Sequence, residues 1–407
     1  MYAICFLNLF TIFYFKAMGT SLKRALYFFL TKLFRKLHQV VKYEYIRLDY
    51  SALEKKYSLK ERQYKKVLSS EQRAEYTSKW GRLIQSVNMN LLNNYIDYKG
   101  RFASDVMPME VFHLVVEPLL NNVEYARSLE DKCRVDWING QQHVPTIYLR
   151  NIQGVYYDSN QQVVDKDKID LELLLSRCSK VILKKSIGLH GGKGVMRLSQ
   201  NEDGHFVDVH KRQLSINYME NLFGQDFLLQ KFLENHEYYK NIEDGGFEVF
   251  RVVTYRSVKD NKVHVLYSFY RIGSMKEENK IEGGELSLYV NKDGYFYDYA
   301  IGVNAGKMYA LKDGKQFKDY ARAQQIDEVW NLAKEVAEKQ IYCRILGLDI
   351  GVDADGNVVL IEVNTSEIGI DGDQLVVGPF FGDFTDEVID YCEQQLEKQS
   401  KYNLLDL

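Results

Sequence analysis

Proline is scarce, four in 407 residues. No Gly/Ser-rich or Pro-rich tract separates one part of the chain from another, which excludes domains strung on flexible tethers. Cysteine is nearly as thin. Cys5, Cys133, Cys178, Cys343 and Cys392 are odd in number and scattered, with no CxxC and no Cys/His spacing of the zinc kind. They read as reduced thiols of a cytosolic protein, none of them catalytic. Long apolar runs are also missing. Residues 2–15, "YAICFLNLFTIFYF", are uncharged but too few to span a bilayer comfortably. No basic region precedes them and no small-residue cleavage site follows, so a signal peptide is not expected, and Met18 is an alternative start.

What is present suits a soluble globular protein of two or three packed units: 46% hydrophobic and 27% charged residues. Charge is uneven. Residues 1–47 set Lys16, Lys23, Arg24, Lys32, Arg35, Lys36, Lys42 and Arg47 against Glu44 alone, a balance of +7, and the remainder carries −10. An acidic body excludes the basic footprint of a nucleic-acid binder, so no nucleic-acid partner is expected. Within the basic arm, Leu22, Leu26, Phe29, Leu30, Leu33, Leu37, Val40 and Val41 recur at helical spacing with Lys and Arg around much of the rest. Such a helix suits an anionic membrane surface, here through residues 18–42; the other reading docks it on the protein's own core.

Residues 50–130 read as helices carrying little chemistry, one of them starting after Pro108. From 145 onward short strands alternate with turn signals, among them "KVILKKS", "FEVFRVVTYRSV" and "KVHVLYSFYRIG". A helix, "IDEVWNLAKEVAEKQI", precedes the last hairpin and another closes the chain. The texture is α+β with antiparallel sheets rather than a βαβ repeat.

Two stretches carry chemistry. In "GLDIGVDADGNVVLIEVN", 347–364, Asp355-Gly356 is a two-residue hairpin turn of type I′. That turn sets Asp349 opposite Glu362, with Asn364 on the same face and Leu348, Ile350, Val352, Val359, Ile361 and Val363 on the other. Facing carboxylates repel, so something positive belongs between them. The Gly of "DADG" falls too early for an EF-hand calcium loop. In "VILKKSIGLHGGKGVMRL", 181–198, a strand ending in Lys184 meets a loop with Gly188, Gly191, Gly192 and Gly194. Such a loop brings backbone N–H groups onto phosphate oxygens, and Lys193 adds a positive charge. It matches neither a Walker A loop nor a GxGxxG fingerprint, and the HRD and DFG signatures of protein kinases are missing. A strand–loop–strand flap over phosphates remains.

The order of these features resembles the ATP-grasp superfamily, and more narrowly the sugar-transfer-associated ATP-grasp family of bacterial surface-polysaccharide genes, over about residues 131–375. The "DK" of that family resembles Lys132 in "EDKCRVDW". Its strand lysine matches Lys184, with Lys185 where a proline is usual, and its flap matches "GGKGV", 191–195. Its hinge resembles "QKFLENH", with Gln230 in place of an acidic residue, Phe232 and Leu233 beside the adenine, and His236 kept. "EVFRVVT" keeps Arg251 and Thr254 of the next strand motif. Arg271 in "YRIG", and Asn279 with Gly283-Gly284 in "ENKIEGG", fit the segment after it. "GLDI…IEVN" matches the metal site without departure.

The resemblance implies an ATP-grasp fold, two α+β subdomains clamping ATP, after a helical N-terminal region. The expected divisions are a basic arm (1–45), helices (46–130), an N-terminal part with the glycine-rich lid (131–232) and a C-terminal subdomain with the metal site (233–400). Lys132 and Lys184 would bind the α/β-phosphates. Asp349, Glu362 and Asn364 would hold two Mg²⁺ ions, and Arg251 and Arg271 would face the transferring phosphoryl group and the acyl phosphate. The implied reaction is ATP-dependent carboxylate–amine ligation, forming an amide on a sugar or uronic-acid-containing polysaccharide precursor. A phosphotransferase acting on a hydroxyl and a nucleotide-binding module without turnover are the alternatives. The implied place is the cytoplasm, peripheral on the inner face of the membrane. Thirty tyrosines and 21 phenylalanines assign no sugar site, since aromatics in strands serve packing first.

Overall fold

No Gly or Pro interrupts the chain from Thr20 to Lys56, and this stretch forms one 37-residue helix, α1 (Thr20–Lys56). It runs on past the expected division at 45/46. In this computed structural model the described residues are 20–56, 68–188, 194–242, 246–273, 286–302, 306–311, 314–366 and 368–405. They form two units, Met1–Lys55 and Lys56–Leu407. Along α1, Phe28, Phe29, Leu33, Phe34, Leu37, Val40 and Val41 are all exposed. No described helix is long and apolar enough to cross a membrane.

The second unit opens with helices α2 (Ser70–Trp80), started by a Ser69/Gln72 capping box, and α3 (Asn90–Lys99), ended by Gly100 in the left-handed region. The helix after Pro108 begins at Met109 and passes through a π turn, Phe112–Val116. Glu117 N–H donates five residues back to Phe112, which makes room for Pro118, a residue with no N–H to continue the ladder.

Among the described residues two seven-stranded sheets follow, with every strand pairing antiparallel, as the strand texture suggests. The first contains β1 (Ile147–Ile152), β2 (Val155–Asp158), β3 (Val163–Val164), β4 (Lys180–Lys185), β5 (Val195–Gln200), β6 (Phe206–Val207) and β7 (Phe227–Lys231), in the order β3-β2-β1-β7-β4-β5-β6. One face packs Leu149, Val181, Leu183, Leu198, Phe227 and Leu229 against Met219 of helix α4 (Ile216–Phe223). Alternation therefore turns Ile182, Lys184, Leu228 and Gln230 to the opposite face.

The second sheet contains β8 (Phe250–Arg256), β9 (Val263–Ile272), β10 (Leu286–Val290), β11 (Phe296–Gly302), β12 (Lys307–Met308), β13 (Ile345–Val352) and β14 (Val358–Asn364), in the order β12-β11-β10-β9-β8-β13-β14. Helix α5 (Ile326–Lys339) lays Ile326, Val329, Leu332, Ala333 and Val336 on its core face, against Phe250, Val252, Tyr270, Leu288, Leu348 and Ile350. The other face carries Arg251, Phe269, Arg271, Tyr289 and Asp349, and the chemistry lies there.

The last hairpin departs from a two-residue turn. Asp353 and Asn357 close a three-residue loop, Gly356 N–H donates to Asp353 O at 2.9 Å, and Gly356 sits at φ +83°. A bulge then inserts Ile361 between the pairs Ile350–Leu360 and Asp349–Glu362. The two departures cancel, so Asp349 still faces Glu362. The core face carries Leu360 in place of Ile361, and Val358 packs at its edge. The four described cysteines are free, and burial pushes the thiols of Cys133, Cys343 and Cys392 up to about 12. Such buried thiols are inert, in keeping with the scattered spacing.

Candidate functional site

Three adjacent strands bring Arg251, Asp349 and Glu362 into one row, through the register pairs Arg251–Asp349 and Asp349–Glu362. Positive charge does lie at both carboxylates, and the protein supplies it. Arg251 donates to Asp349 with Nε 2.5 Å from Oδ1 and Nη2 3.1 Å from Oδ2, and Arg271 Nη1 lies 3.2 Å from Oδ2. Burial favours the neutral acid, but Arg251 and Arg271 together outweigh it and hold the Asp349 carboxyl below its ordinary range. Glu362 takes a different partner: Lys132 Nζ is 2.8 Å from its Oε1. Asn364 Nδ2 donates to Gly347 O across the hairpin at 3.1 Å.

Lys132 reaches this point from a turn fastened to the end of β4. Its N–H donates to Ser186 O at 3.2 Å, and Cys133 N–H donates to Ser186 Oγ at 3.3 Å. Lys184, two residues earlier on β4, is buried and makes no ion pair among the described residues. Burial first, then the neighbouring Lys132 charge, push its ammonium down to about 8, with Glu362 opposing. Two lysines beside one another, one buried without a counter-ion, make a site that lacks an anion.

Gln230 shares the Lys184 face of the first sheet and is buried, and Leu233 is buried after it. Phe232 lies under Lys180 Nζ, 5.2 Å from the ring centroid. His236 N-caps a short helix, its Nδ1 accepting from Tyr238 N–H, while its own N–H donates to Val352 O. Gly194 sits at φ +73° and its carbonyl accepts from Lys185 N–H. Gly191, Gly192 and Lys193, with His190, Asn279, Gly283 and Gly284, lie outside the described residues.

Several supports were not legible beforehand. Glu130 accepts from Thr365 N–H and Oγ1 and from Ser366 Oγ, and the Asn121 side chain bonds Arg344 N–H, Ile345 N–H and O, and Thr365 O. The helical region that reads as chemically silent thus clamps both ends of the hairpin. Beside the arginines lies a cavity of about 300 Å³, lined by Arg251, Phe269, Arg271, Ser287, Tyr289 and Asp373 among others. Asp373 Oδ2 accepts from Tyr267 Oη at 2.5 Å and its Oδ1 accepts from Tyr289 Oη.

Among the described residues no three His, Cys, Asp or Glu side chains converge for a metal; the set here is two carboxylates and an amide. It nevertheless fits a hard divalent cation. Glu362 is already posed against a cation, and Asp349 uses three of its roughly four lone-pair positions, leaving one.

A family model described as sugar-transfer associated ATP-grasp matches residues 115–382. The chain belongs to that family. Its fold is accordingly the ATP-grasp fold. No curated protein matches the chain. Solved ATP-grasp structures match at low identity. One is the ATP-grasp ligase PsnB with its minimal precursor, at 14% identity and TM-score 0.36, over 67% of this chain and 63% of that one. Another is the D-alanine–D-alanine ligase of Coxiella burnetii, at 10% and 0.35, over 70% and 64%. A third is an L-amino acid ligase of Bacillus licheniformis, at 12% and 0.34, over 64% and 48%. The chain thus spans under two thirds of the length of each.

Proposed function

We propose that this ATP-grasp chain is an ATP-dependent carboxylate–amine ligase, forming an amide on a sugar or precursor of a bacterial surface polysaccharide. The observation that carries the nucleotide site is Lys184, a buried lysine beside Lys132 with no counter-ion among the described residues. Phosphate oxygens are the anion that such a pair accepts. The sugar part rests on the family's association with sugar transfer.

In this reading a substrate carboxylate oxygen attacks the γ-phosphorus as the bond to the ADP oxygen breaks. The amine nitrogen then attacks the acyl carbon, the carbon–oxygen bond to phosphate breaks, inorganic phosphate leaves, and the nitrogen loses a proton. Lys132 and Lys184 orient the α- and β-phosphates. By the family resemblance Gly191, Gly192, Lys193 and Gly194 would cover them, and Gln230, Phe232 and Leu233 would border the adenine. Glu362, Asn364 and Asp349 would hold Mg²⁺, two ions in this reading, which neutralises phosphate charge when bound. Arg251 and Arg271, anchored on Asp349, would stabilise the charge that develops on the transferring phosphoryl group. The test is ADP and phosphate release across uronic acids and amino acids, with product masses. Release needing both a carboxylate and an amine, with loss of one water in the joined product, supports ligation; ADP formed without phosphate release indicates a phosphotransferase.

We further infer that α1 lies on an anionic membrane surface at the cytoplasmic side. The exposed Phe28, Phe29, Leu33, Phe34, Leu37, Val40 and Val41, with exposed Arg24 and Lys36 and half-buried Lys32, support this reading.

A further inference from the structure

Asp373 stands apart from the proposed nucleotide and metal residues. It lies deep in the fold, 106 residues from Tyr267 and 84 from Tyr289 in sequence, and is only partly exposed, at the wall of the 300 Å³ cavity. Burial first, then the Asp373 charge, raise both phenols far above their ordinary range, so they stay protonated and donate. Each carboxylate oxygen therefore takes one neutral donor and keeps a lone pair. Among the described residues no Lys, Arg or His pairs with Asp373 or with its neighbour Asp371, which lines the same cavity.

A half-buried carboxylate whose hydrogen bonds come only from neutral donors is under-compensated. Burial, helped by the Asp371 charge, pushes Asp373 up to about 6, against the lowering effect of the two phenols and of the Arg251 charge. The cavity's other walls include the apolar Val253, Phe269, Ile301 and Ile368, beside Ser287, and apolar walls strengthen a charge pair formed next to them. Arg251 and Arg271 border the same cavity and share the one carboxylate of Asp349, so that with Asp371 and Asp373 three carboxylates face two guanidinium groups among the described residues. The unmatched charge within the cavity is therefore negative.

We propose that this cavity binds the amine substrate as its ammonium ion, Asp373 being the residue that receives the N–H donors and Tyr267 and Tyr289 the residues that aim it. This deepens the ligase reading and rests on it for the word substrate, although binding itself does not require turnover. Placed there, the nitrogen lies beside Arg251 and Arg271, on the side where the acyl phosphate is expected. Asp373 also accepts the first proton, which the ammonium must release before its nitrogen has a lone pair for attack; a second N–H bond breaks as the carbon–nitrogen bond forms, its proton passing to the phosphate that departs with the electron pair of the carbon–oxygen bond. An ammonium group can come from an amino acid or from an amino sugar, and the chemistry of the cavity is the same for both.

Saturation-transfer NMR on the full chain with a non-hydrolysable ATP analogue tests this, using two arms: the twenty amino acids, and glucosamine with galactosamine. The N-acetylated forms are controls. At least one ammonium-bearing probe should bind, its N-acetyl form should not, and Asp373→Asn should weaken binding about tenfold or more with nucleotide affinity unchanged. Tyr289→Phe, which keeps the ring, should weaken it less. If no ammonium-bearing probe binds, or if binding persists in Asp373→Asn at wild-type strength, the proposal is overturned. Amine binding without amide formation would instead defeat the ligase reading alone. Amide formation indifferent to Asp373→Asn would defeat this inference and leave the ligase reading standing.

Discussion

Arg251 and Asp349 face each other across β8 and β13 as a two-point pair, Nε to Oδ1 and Nη2 to Oδ2. Gly347 lies beside the pair: a Cβ there would stand 3.4 Å from both Cδ and Nη1 of Arg251, at the limit of ordinary contact. With Arg271 on the same carboxylate, Asp349 is both a candidate metal ligand and the anchor of two guanidinium groups.

Asp349→Asn and Glu362→Gln should each lower Mg-ATP turnover by about 10²-fold or more while circular dichroism stays unchanged. Asp349→Ala should behave worse. It leaves two guanidinium groups without their carboxylate and should cost about 3–5 kcal/mol in chemical denaturation. Near-native turnover in Glu362→Gln at saturating Mg²⁺ would remove Glu362 from the metal set.

Lys184 offers a cleaner separation of binding from folding. Its charge has no counter-ion among the described residues, so Lys184→Met keeps the stem and removes a burial penalty. The variant should melt no lower than wild type while ATP affinity, measured by calorimetry, falls tenfold or more. A lower melting point with intact ATP affinity would make Lys184 structural.

These pairs also mark how far the sequence could be read. The opposition of Asp349 and Glu362 follows from local alternation and was legible, and so were the antiparallel strands and the helix α5 before the last hairpin. The bulge at Ile361 was not, because it depends on how β14 fits β13 and leaves no turn residue to announce it. Nor were the partners of Asp349: alternation shows that Arg251 and Arg271 are costly in apolar strands, but not which anion meets them. Glu130, Asn121 and Asp373 act across contacts of 84 to 244 residues, beyond the reach of any spacing rule.

Asp373 gives a pH signature. Its carboxyl binds a proton more tightly folded, at about 6, than at its ordinary value of 3.8. The native state therefore holds the extra proton between these values, and stability falls as pH rises through that window. The contribution is complete below pH of about 4 and lost above pH of about 6, on the order of 2–3 kcal/mol. Urea denaturation from pH 4 to 7 should show Asp373→Asn gaining on wild type by this amount. Parallel curves would mean that Asp373 titrates normally.

For α1, the full chain should sediment with liposomes containing anionic lipid, release in high salt, and ignore neutral vesicles. Each basic residue at the surface contributes about 1 kcal/mol. Replacing Phe29, Leu33 and Leu37 together by Ser should abolish sedimentation with ATP binding retained. Equal sedimentation with neutral and anionic vesicles, or none with either, would refute the membrane reading.

The central claim is that ATP activates a carboxylate on this scaffold, and oxygen isotope transfer tests it most directly. A uronic acid carrying ¹⁸O in its carboxylate, turned over with ATP, Mg²⁺ and an amine, should deliver one ¹⁸O to each inorganic phosphate released. Unlabelled phosphate beside an unchanged labelled carboxylate would contradict the account.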